Sequence, residues 1–289
     1  MPRSKDLSFI DFMLPTLVEE PPQGDDWIHE IKYDGYRTQL ILQDGKVRAF
    51  TRRGVDWTGK YGPVVEQASV LPAETAILDG EMVVLDKNHR SDIGEFREAM
   101  RWNPERLIFV AFDLLHLDAT DLRSRTLLER KERLQHLIRK NPAIQFSEHV
   151  QGGGAEFYAA ADKMGLEGMV SKRPDSRYKS GRTDAWLKTK CYEESTYEVA
   201  AVLREPGRPA VAYMVTPDAQ RKYVGGAFIT LPQKLRERLW DRVHKKAVPV
   251  KGVTVKPGAE WLKPGLTARV RHLRGEDMLR HATLRDLDN

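Results

Sequence analysis

Trp27-Ile28-His29-Glu30-Ile31-Lys32-Tyr33-Asp34-Gly35-Tyr36-Arg37 is the stretch on which the reading of this chain turns. Its first half is extended and β-prone, and Asp34-Gly35 is a turn dipeptide, so a strand over residues 27–33 ends with Lys32 near its tip. Taken alone, Lys-x-Asp-Gly is a pattern that any surface turn produces. Its meaning comes from the residues downstream of it.

Alternating apolar residues predict two further strands, 37–43 and 46–52, with Asp44-Gly45 as the hairpin turn between them. Longer β-rich runs stand at 74–86 and 106–117, and shorter ones at 168–173 and 185–191. Helical periodicity falls at 59–70, 92–101, 126–139 and 154–165. Leu127–Lys140 is highly charged with leucines at helical spacing, which predicts a solvated amphipathic helix. Gly152-Gly153-Gly154 reads as a loop entering a helix, because no lysine-serine phosphate signature comes after it.

Five polar clusters stand in order behind Lys32-Tyr33-Asp34-Gly35. They are Thr51-Arg52-Arg53-Gly54, Asp79-Gly80-Glu81, Phe112-Asp113-Leu114-Leu115, Glu167-Gly168-Met169-Val170-Ser171-Lys172 and Trp186-Leu187-Lys188-Thr189-Lys190. In kind, order and spacing the series resembles the covalent nucleotidyltransferase superfamily, most closely the ATP-dependent DNA ligases. The lead-in Met13-Leu14-Pro15, Gly24-Asp25-Asp26-Trp27 and the block from His29 to Arg37 are similar to the ligase module of bacterial D-type, end-joining ligases and their stand-alone relatives. The resemblance is dense from about residue 11 to 190 and thinner beyond.

It implies an α+β fold: a nucleotidyltransferase domain over 1–192, ATP-grasp-like with mainly antiparallel sheets and flanking helices, followed by an OB-fold barrel over 193–289. It also implies that Lys32 is the nucleophile, attacking ATP to form a lysyl-AMP phosphoramidate. An attacking amine must be unprotonated, yet a free lysine has a pKa near ~10.4, so desolvation and nearby cations have to lower it. The resemblance supplies Arg37, Arg52, Lys188 and Lys190 as those cations, converging on the phosphate. Lys188 and Lys190 are two apart on an expected strand and so share a face with Trp186, where a phosphate between them would relieve their repulsion.

Glu81 and Glu167 are the expected ligands of Mg²⁺ or Mn²⁺ and of the ribose, since a hard cation that keeps several waters needs few protein carboxylates. Phe112 matches the aromatic that stacks on the base, and Met169 is either the opposite face of that pocket or a core residue. Glu30 matches the acid that accepts the adenine amino group, with Ile31 beside it in the nucleotide pocket. A carboxylate there would repel the guanine carbonyl, which favours ATP over GTP. Asp34 and Asp79 are expected to serve turns through local side-chain to backbone bonds.

The chain has 289 residues, 40% hydrophobic and 31% charged, enough for one large core or two ordinary ones. No apolar run approaches a membrane span and no secretory signal core stands behind the N-terminus, so a cytoplasmic monomer without a membrane partner is expected. One cysteine, Cys191, excludes an internal disulfide and the four-cysteine zinc module of NAD-dependent ligases. The net charge of +5 is uneven: residues 1–192 hold 29 Lys+Arg against 30 Asp+Glu, whereas 193–289 hold 18 against 12. A basic module beside a neutral body suits a polyanion, here nicked double-stranded DNA, with end-joining or repair proteins as further partners. With Lys32 so early, no N-terminal helical DNA-binding domain and no polymerase or nuclease module is expected.

Beyond Lys190 the pattern changes. Strands are expected at 194–204, 210–216, 221–229 and 267–273 with a helix at 231–244, a content compatible with an OB-type barrel. Leu279 to Asp288 resembles the final ligase motif, in which an arginine-rich strand closes over the departing phosphates. Arg280 and Arg285 fit that role, whereas Asp286 and Asp288 stand where glycine and a basic residue are usual. They lie either beside the pyrophosphate, slowing self-adenylation rather than sealing, or in a solvent-facing terminus. Two other readings stay open: an RNA ligase or capping-type nucleotidyltransferase, and a catalytically silent nucleic-acid-binding relative.

Overall fold

The chain divides after Lys190 into two units, Met1–Lys190 and Cys191–Asn289, where the sequence places the boundary near Glu193. The computed structural model describes residues 6–139, 141–243, 247–273 and 278–288. Expectations that touch residues 1–5, Lys140 and His244 lie outside them.

The first unit runs β1 (Met13–Leu17), β2 (Ile28–Ile31), β3 (Tyr36–Gln43), β4 (Lys46–Thr51), α1 (Gly62–Ser69), β5 (Thr75–Val83), α2 (Ile93–Trp102) and β6 (Ile108–Leu117). It continues through β7 (Thr120–Asp121), α3 (Leu127–Leu137), β8 (Ile144–Phe146), β9 (Val150–Gln151), α4 (Gly154–Lys163), β10 (Gly168–Lys172) and β11 (Gly181–Lys190). Strands β1-β11-β10-β2-β9 form one sheet, and β4-β3-β5-β6-β7, with β8 beside β6, form another. The pairs β1–β11 and β6–β8 are parallel and the rest antiparallel.

Two apolar layers hold this unit. Leu40, Leu42, Ala49, Leu78, Met82 and Phe109 on one face of the second sheet pack with Val64 of α1, Phe96 of α2 and Leu134 of α3. The opposite residues Ile41, Ile77 and Leu115 join Met13, Ile28 and Trp186 of the first sheet. Alternation with period two makes both faces apolar, as a sheet covered on both sides requires.

Lys32-Tyr33-Asp34-Gly35 is the strap by which the chain leaves the first sheet for the second, since β2 belongs to one and β3 to the other. The strap lies hard against β5: a Cβ at Gly35 would sit 2.2 Å from the Met82 carbonyl oxygen. Its other end is fastened by the Lys32 amide, which donates to the Gly168 carbonyl at 3.0 Å. The two sheets are thus joined beside the lysine.

Helix α3 starts on a capping box between Thr126 and Glu129. It is not a merely solvated helix. Arg130 and Lys131 fall on the stripe of Leu127, Leu134 and Leu137 and are wholly buried. The Arg130 guanidinium donates twice to Asp113 of β6, at 2.7 and 2.8 Å, and also to the carbonyls of Arg125 and Ser176. Asp79 departs from expectation as well. It sits mid-strand in β5, buried, and takes two hydrogen bonds from Arg37 at 2.7 and 3.0 Å. Tyr178 donates to the same carboxylate and accepts from the Met13 amide.

The second unit runs β12 (Tyr192–Leu203), β13 (Val211–Val215), β14 (Tyr223–Ile229), α5 (Gln233–Asp241), β15 (Glu260–Trp261), β16 (Thr267–Leu273) and β17 (Thr283–Leu287). The ladder β13-β14-β17-β16-β12 closes because β12 also pairs β13, so five strands make a ring, with α5 following β14 in the chain. Only β14–β17 is parallel. Val199, Val202, Met214, Val270 and Leu284 fill the interior. Asp286 is not a frayed residue: it lies in β17 and pairs with Arg269 of β16 at 2.8 Å. Among the described residues no helix is long and apolar enough to cross a membrane.

Replacing Arg130 by Met strands the buried Asp113 carboxylate, which should cost about 3–5 kcal/mol in urea unfolding. Adding Asp113→Asn should recover much of that loss, whereas additive losses would show that the pair is not a unit.

Candidate active site

Cross-strand partners share a face, and this rule assembles one wall of a cavity. Val170 of β10 stands opposite both Glu30 of β2 and Lys188 of β11, and Lys172 stands opposite Trp186. Lys32 comes two residues after Glu30, on the same side, about 7 Å along an extended chain. The second sheet supplies the other wall with Arg37, Glu81 and Phe112, and Arg52 lies just beyond β4. Arg182 of β11 stands at the rim, its Nη1 donating to the Pro15 carbonyl at 3.1 Å.

The charged end of the cavity surrounds Lys32. Its Nζ donates to Glu167 Oε2 at 2.5 Å, and its side chain is 21% exposed. Lys188 is held below the ordinary lysine range, first by burial and then by the cations Lys32, Arg182 and Arg52. Burial drives Glu81 up to about 8; Lys32 and Arg37 pull it the other way, while the Glu167 carboxylate adds to the rise. Crowded cations with crowded carboxylates are the expected surroundings of a phosphate chain with a hard cation. Both carboxylates offer oxygen donors of the right kind for one. The two make a sparse ligand set rather than a closed cage.

The other end is aromatic and buried. Phe112 and Trp186 meet edge to face at 6.1 Å, and Lys172 Nζ lies over both rings at 4.4 and 4.3 Å. Lys172 donates to Glu30 Oε2 at 2.8 Å, and Lys131 donates to Glu30 Oε1 at 2.8 Å. Burial pushes Lys172 down to about 8, with the Glu30 charge opposing it. For Glu30 burial acts upward, but the two ammonium groups outweigh it and hold the carboxyl below its ordinary range.

The model for the ATP dependent DNA ligase domain matches residues 14–190, over half of the chain. This chain belongs to the ATP-dependent DNA ligases. It is 34% identical over 270 residues to the multifunctional non-homologous end joining protein LigD of Pseudomonas aeruginosa, covering 87% of this chain and 32% of that protein. A DNA ligase of Pyrobaculum islandicum is 34% identical over 183 residues, 58% of this chain and 31% of that one. The chain thus spans about a third of the length of these relatives. Among solved structures, a mycobacterial DNA ligase D complexed with ATP and MES superposes with a TM-score of 0.57 at 27% identity, covering 95% of each chain.

Within this ligase fold, Lys32, Arg37, Arg52, Glu81, Phe112, Glu30, Ile31 and Lys188 line one cavity, and Glu167 touches it through Lys32. Arg37 is a fixed wall rather than a loose cation, because Asp79 takes its charge and its guanidinium lies 4.6, 5.1 and 5.6 Å from the Phe12, Phe112 and Trp186 rings. Met169 is outside the lining. It is opposite Ile31 and Thr189 and buried, on the face turned away, and Val170 takes the wall instead. Lys190, buried at the end of β11 opposite Gly168, also lies outside the lining, so of the two lysines expected to flank a phosphate only Lys188 lines this wall. Arg280 belongs to the second unit, where its carbonyl accepts from the Leu273 amide.

Sequence reasoning assigned no role to Lys172, Arg182 or Lys131. Lys172 closes a cluster already singled out, and its parity with Val170 and Glu30 across the ladder was the available signal. Arg182 stands on the strand of Lys188 and three even steps before it, which the strand's undetected first half concealed.

Glu81 gives the unliganded domain a pH signature. The folded group titrates near 8 and the unfolded one near 4.5, so the folded state keeps a proton that the unfolded state releases. Its contribution to stability is full below pH 4.5 and is lost as the pH climbs to about 8. Glu81→Gln should therefore gain stability relative to the parent between pH 5 and 8, on the order of 2 kcal/mol after discounting for partial exposure. A difference that does not change with pH in urea titrations would mean Glu81 is ionised in the folded protein throughout.

Proposed function

We propose that this chain is the catalytic core of an ATP-dependent DNA ligase that seals nicks with a 5′-phosphate and a 3′-hydroxyl through a lysyl-AMP intermediate on Lys32. The observation that carries this reading is Lys32 Nζ, 2.5 Å from Glu167, at the cationic end of a cavity whose other end is aromatic. The Lys32 amine attacks the α-phosphorus of ATP; a P–N bond forms, the bond to pyrophosphate breaks, and the amine proton is lost with Glu167 placed to receive it. AMP then passes to the 5′-phosphate at the nick, and the 3′-hydroxyl displaces it.

Arg52, Lys188 and Arg182 stabilise the charge on the phosphates from positions the fold already holds. Glu81 and Glu167 supply the oxygen ligands for Mg²⁺ or Mn²⁺, which would neutralise phosphate charge when bound. The base lies between Phe112 and Val170, with Glu30 accepting the adenine amino group. The basic second unit, read as an OB-type barrel from its five-strand ring, supplies sequence-independent contacts to the DNA backbone. End joining, in the cytoplasm and as a monomer, is the cellular role this reading favours, on the strength of the end-joining protein to which the chain is similar.

Incubation with α-labelled ATP followed by denaturing electrophoresis should leave label on the protein, and Lys32→Ala and Lys32→Arg should each abolish it while the fold survives. Label on either variant would move the nucleophile to another lysine. A panel of nicked duplexes with DNA or RNA strands then separates a DNA ligase from an RNA ligase.

Nick affinity should fall steeply with salt, and removal of residues 193–289, which hold 18 Lys+Arg against 12 Asp+Glu, should remove most of it while ATP binding largely persists. Equal nick affinity for the shortened and full chains at matched ionic strength would place DNA recognition elsewhere.

A further inference from the structure

Lys131 reaches Glu30 from behind. It lies on α3, outside every sequence cluster that marks the cavity and outside the cavity lining itself, with its side chain 1% exposed. Its Nζ donates to Glu30 Oε1 at 2.8 Å and to the Ser147 carbonyl at 2.8 Å, over the Phe146 ring at 4.5 Å. The other oxygen, Oε2, takes Lys172 Nζ at 2.8 Å and the Ser147 hydroxyl at 3.0 Å.

Two buried ammonium groups on one carboxylate are one more than charge balance needs, and each carries a desolvation cost. Lys172 has its own reason to be there, since it lines the cavity and lies over Phe112 and Trp186. Lys131 lies over Phe146 and bonds the Ser147 carbonyl, but it falls on the stripe of Leu127, Leu134 and Leu137, where an apolar residue would continue the core. What distinguishes the ammonium is its effect on Glu30.

Each carboxylate oxygen offers about two lone-pair directions. Lys172 and Ser147 occupy both on Oε2, and Lys131 occupies one on Oε1. Oε1 is therefore the atom with acceptor capacity left, on a residue that faces the cavity. Clamped on both oxygens, the carboxylate cannot rotate that lone pair away.

We propose that Lys131 is a positioning residue for nucleobase choice: from outside the cavity it fixes Glu30 so that Oε1 accepts the exocyclic amino group of a 6-aminopurine nucleotide. This rests on the proposed adenylation of Lys32.

The test compares self-adenylation by ATP with the parallel labelling by purine riboside triphosphate, which lacks only the 6-amino group. In the wild-type chain, loss of that group should raise the KM about tenfold, the usual range for a hydrogen bond to a charged acceptor. In Lys131→Met the KM for ATP should rise by a similar factor, the gap between the two nucleotides should shrink below about twofold, and the saturating rate should stay within about threefold of wild type. Lys131→Arg should restore at least part of the gap. Should the Met variant fail to melt cooperatively, Lys131→Gln takes its place with the same expected collapse of the gap.

An equal handicap for both nucleotides, or an unchanged ratio, would overturn the proposal and leave Lys131 a structural residue. A wild-type chain that labels equally well with both nucleotides would overturn it too. No label at all on wild-type Lys32 would instead overturn the adenylation reading, and this proposal with it.

Discussion

Glu30, Asp79 and Asp113 are wholly buried carboxylates in the first unit, and each is held by a cation from a different element. Arg37 of β3 holds Asp79 of β5, Arg130 of α3 holds Asp113 of β6, and Lys131 with Lys172 hold Glu30 of β2. An unpaired charge at this depth costs several kcal/mol, so every alternative register that separates a pair is penalised. The clamps set how β2, β10 and α3 meet and how β3 meets β5. The Asp79 and Asp113 clamps also reach each other, because Tyr178 joins Asp79 to the Met13 amide while the Arg130 guanidinium lies 5.9 Å from the Tyr178 ring.

For the chemistry this means that the walls are built before any nucleotide arrives. Arg37 and Glu30 have no freedom left to relax onto a ligand, and a preorganised polar wall stabilises charge without reorganising at the moment of reaction. The mouth carries the remaining charged groups, Arg52, Arg182 and Lys188, together with the Lys32–Glu167 contact. One half of the cavity is aromatic, with its polar groups paired, and the other half carries the cations Lys32, Arg52, Arg182 and Lys188.

Much of this was legible in the chain. Hairpin β3–β4 announces itself through Asp44-Gly45, and the alternation of β3 and β5 is readable because each face meets a different apolar layer. Other features were hidden for identifiable reasons. β1 carries Pro15 and pairs in parallel with a distant strand, so it has neither the composition nor a neighbouring turn to declare it. Asp79-Gly80 looks like a turn because Asp-Gly usually is one. Here the glycine serves a close approach instead: a Cβ would lie 2.5 Å from both the Phe109 ring and the Val110 carbonyl oxygen. Met169 missed the cavity by one residue, which on a strand is a whole face. Arg130 and Lys131 were visible as charges at leucine positions of α3, but charge on a helix is ordinarily solvated, and only the buried acids facing them reverse that expectation.

The ring in the second unit imposes an order on synthesis. Its members β12, β13 and β14 form a meander whose neighbours are close in the chain, but the seam between β14 and β16 is filled by β17, the last to be made. Until residue 287 has emerged, β14 and β16 each present an open edge of unpaired backbone to any other nascent strand. The first unit needs nothing beyond Lys190 for its own sheets. During translation the nucleotide-binding half can therefore stand complete while its neighbour is still an unfinished ring, and truncations inside β17 should show up as aggregation rather than as a faulty cavity.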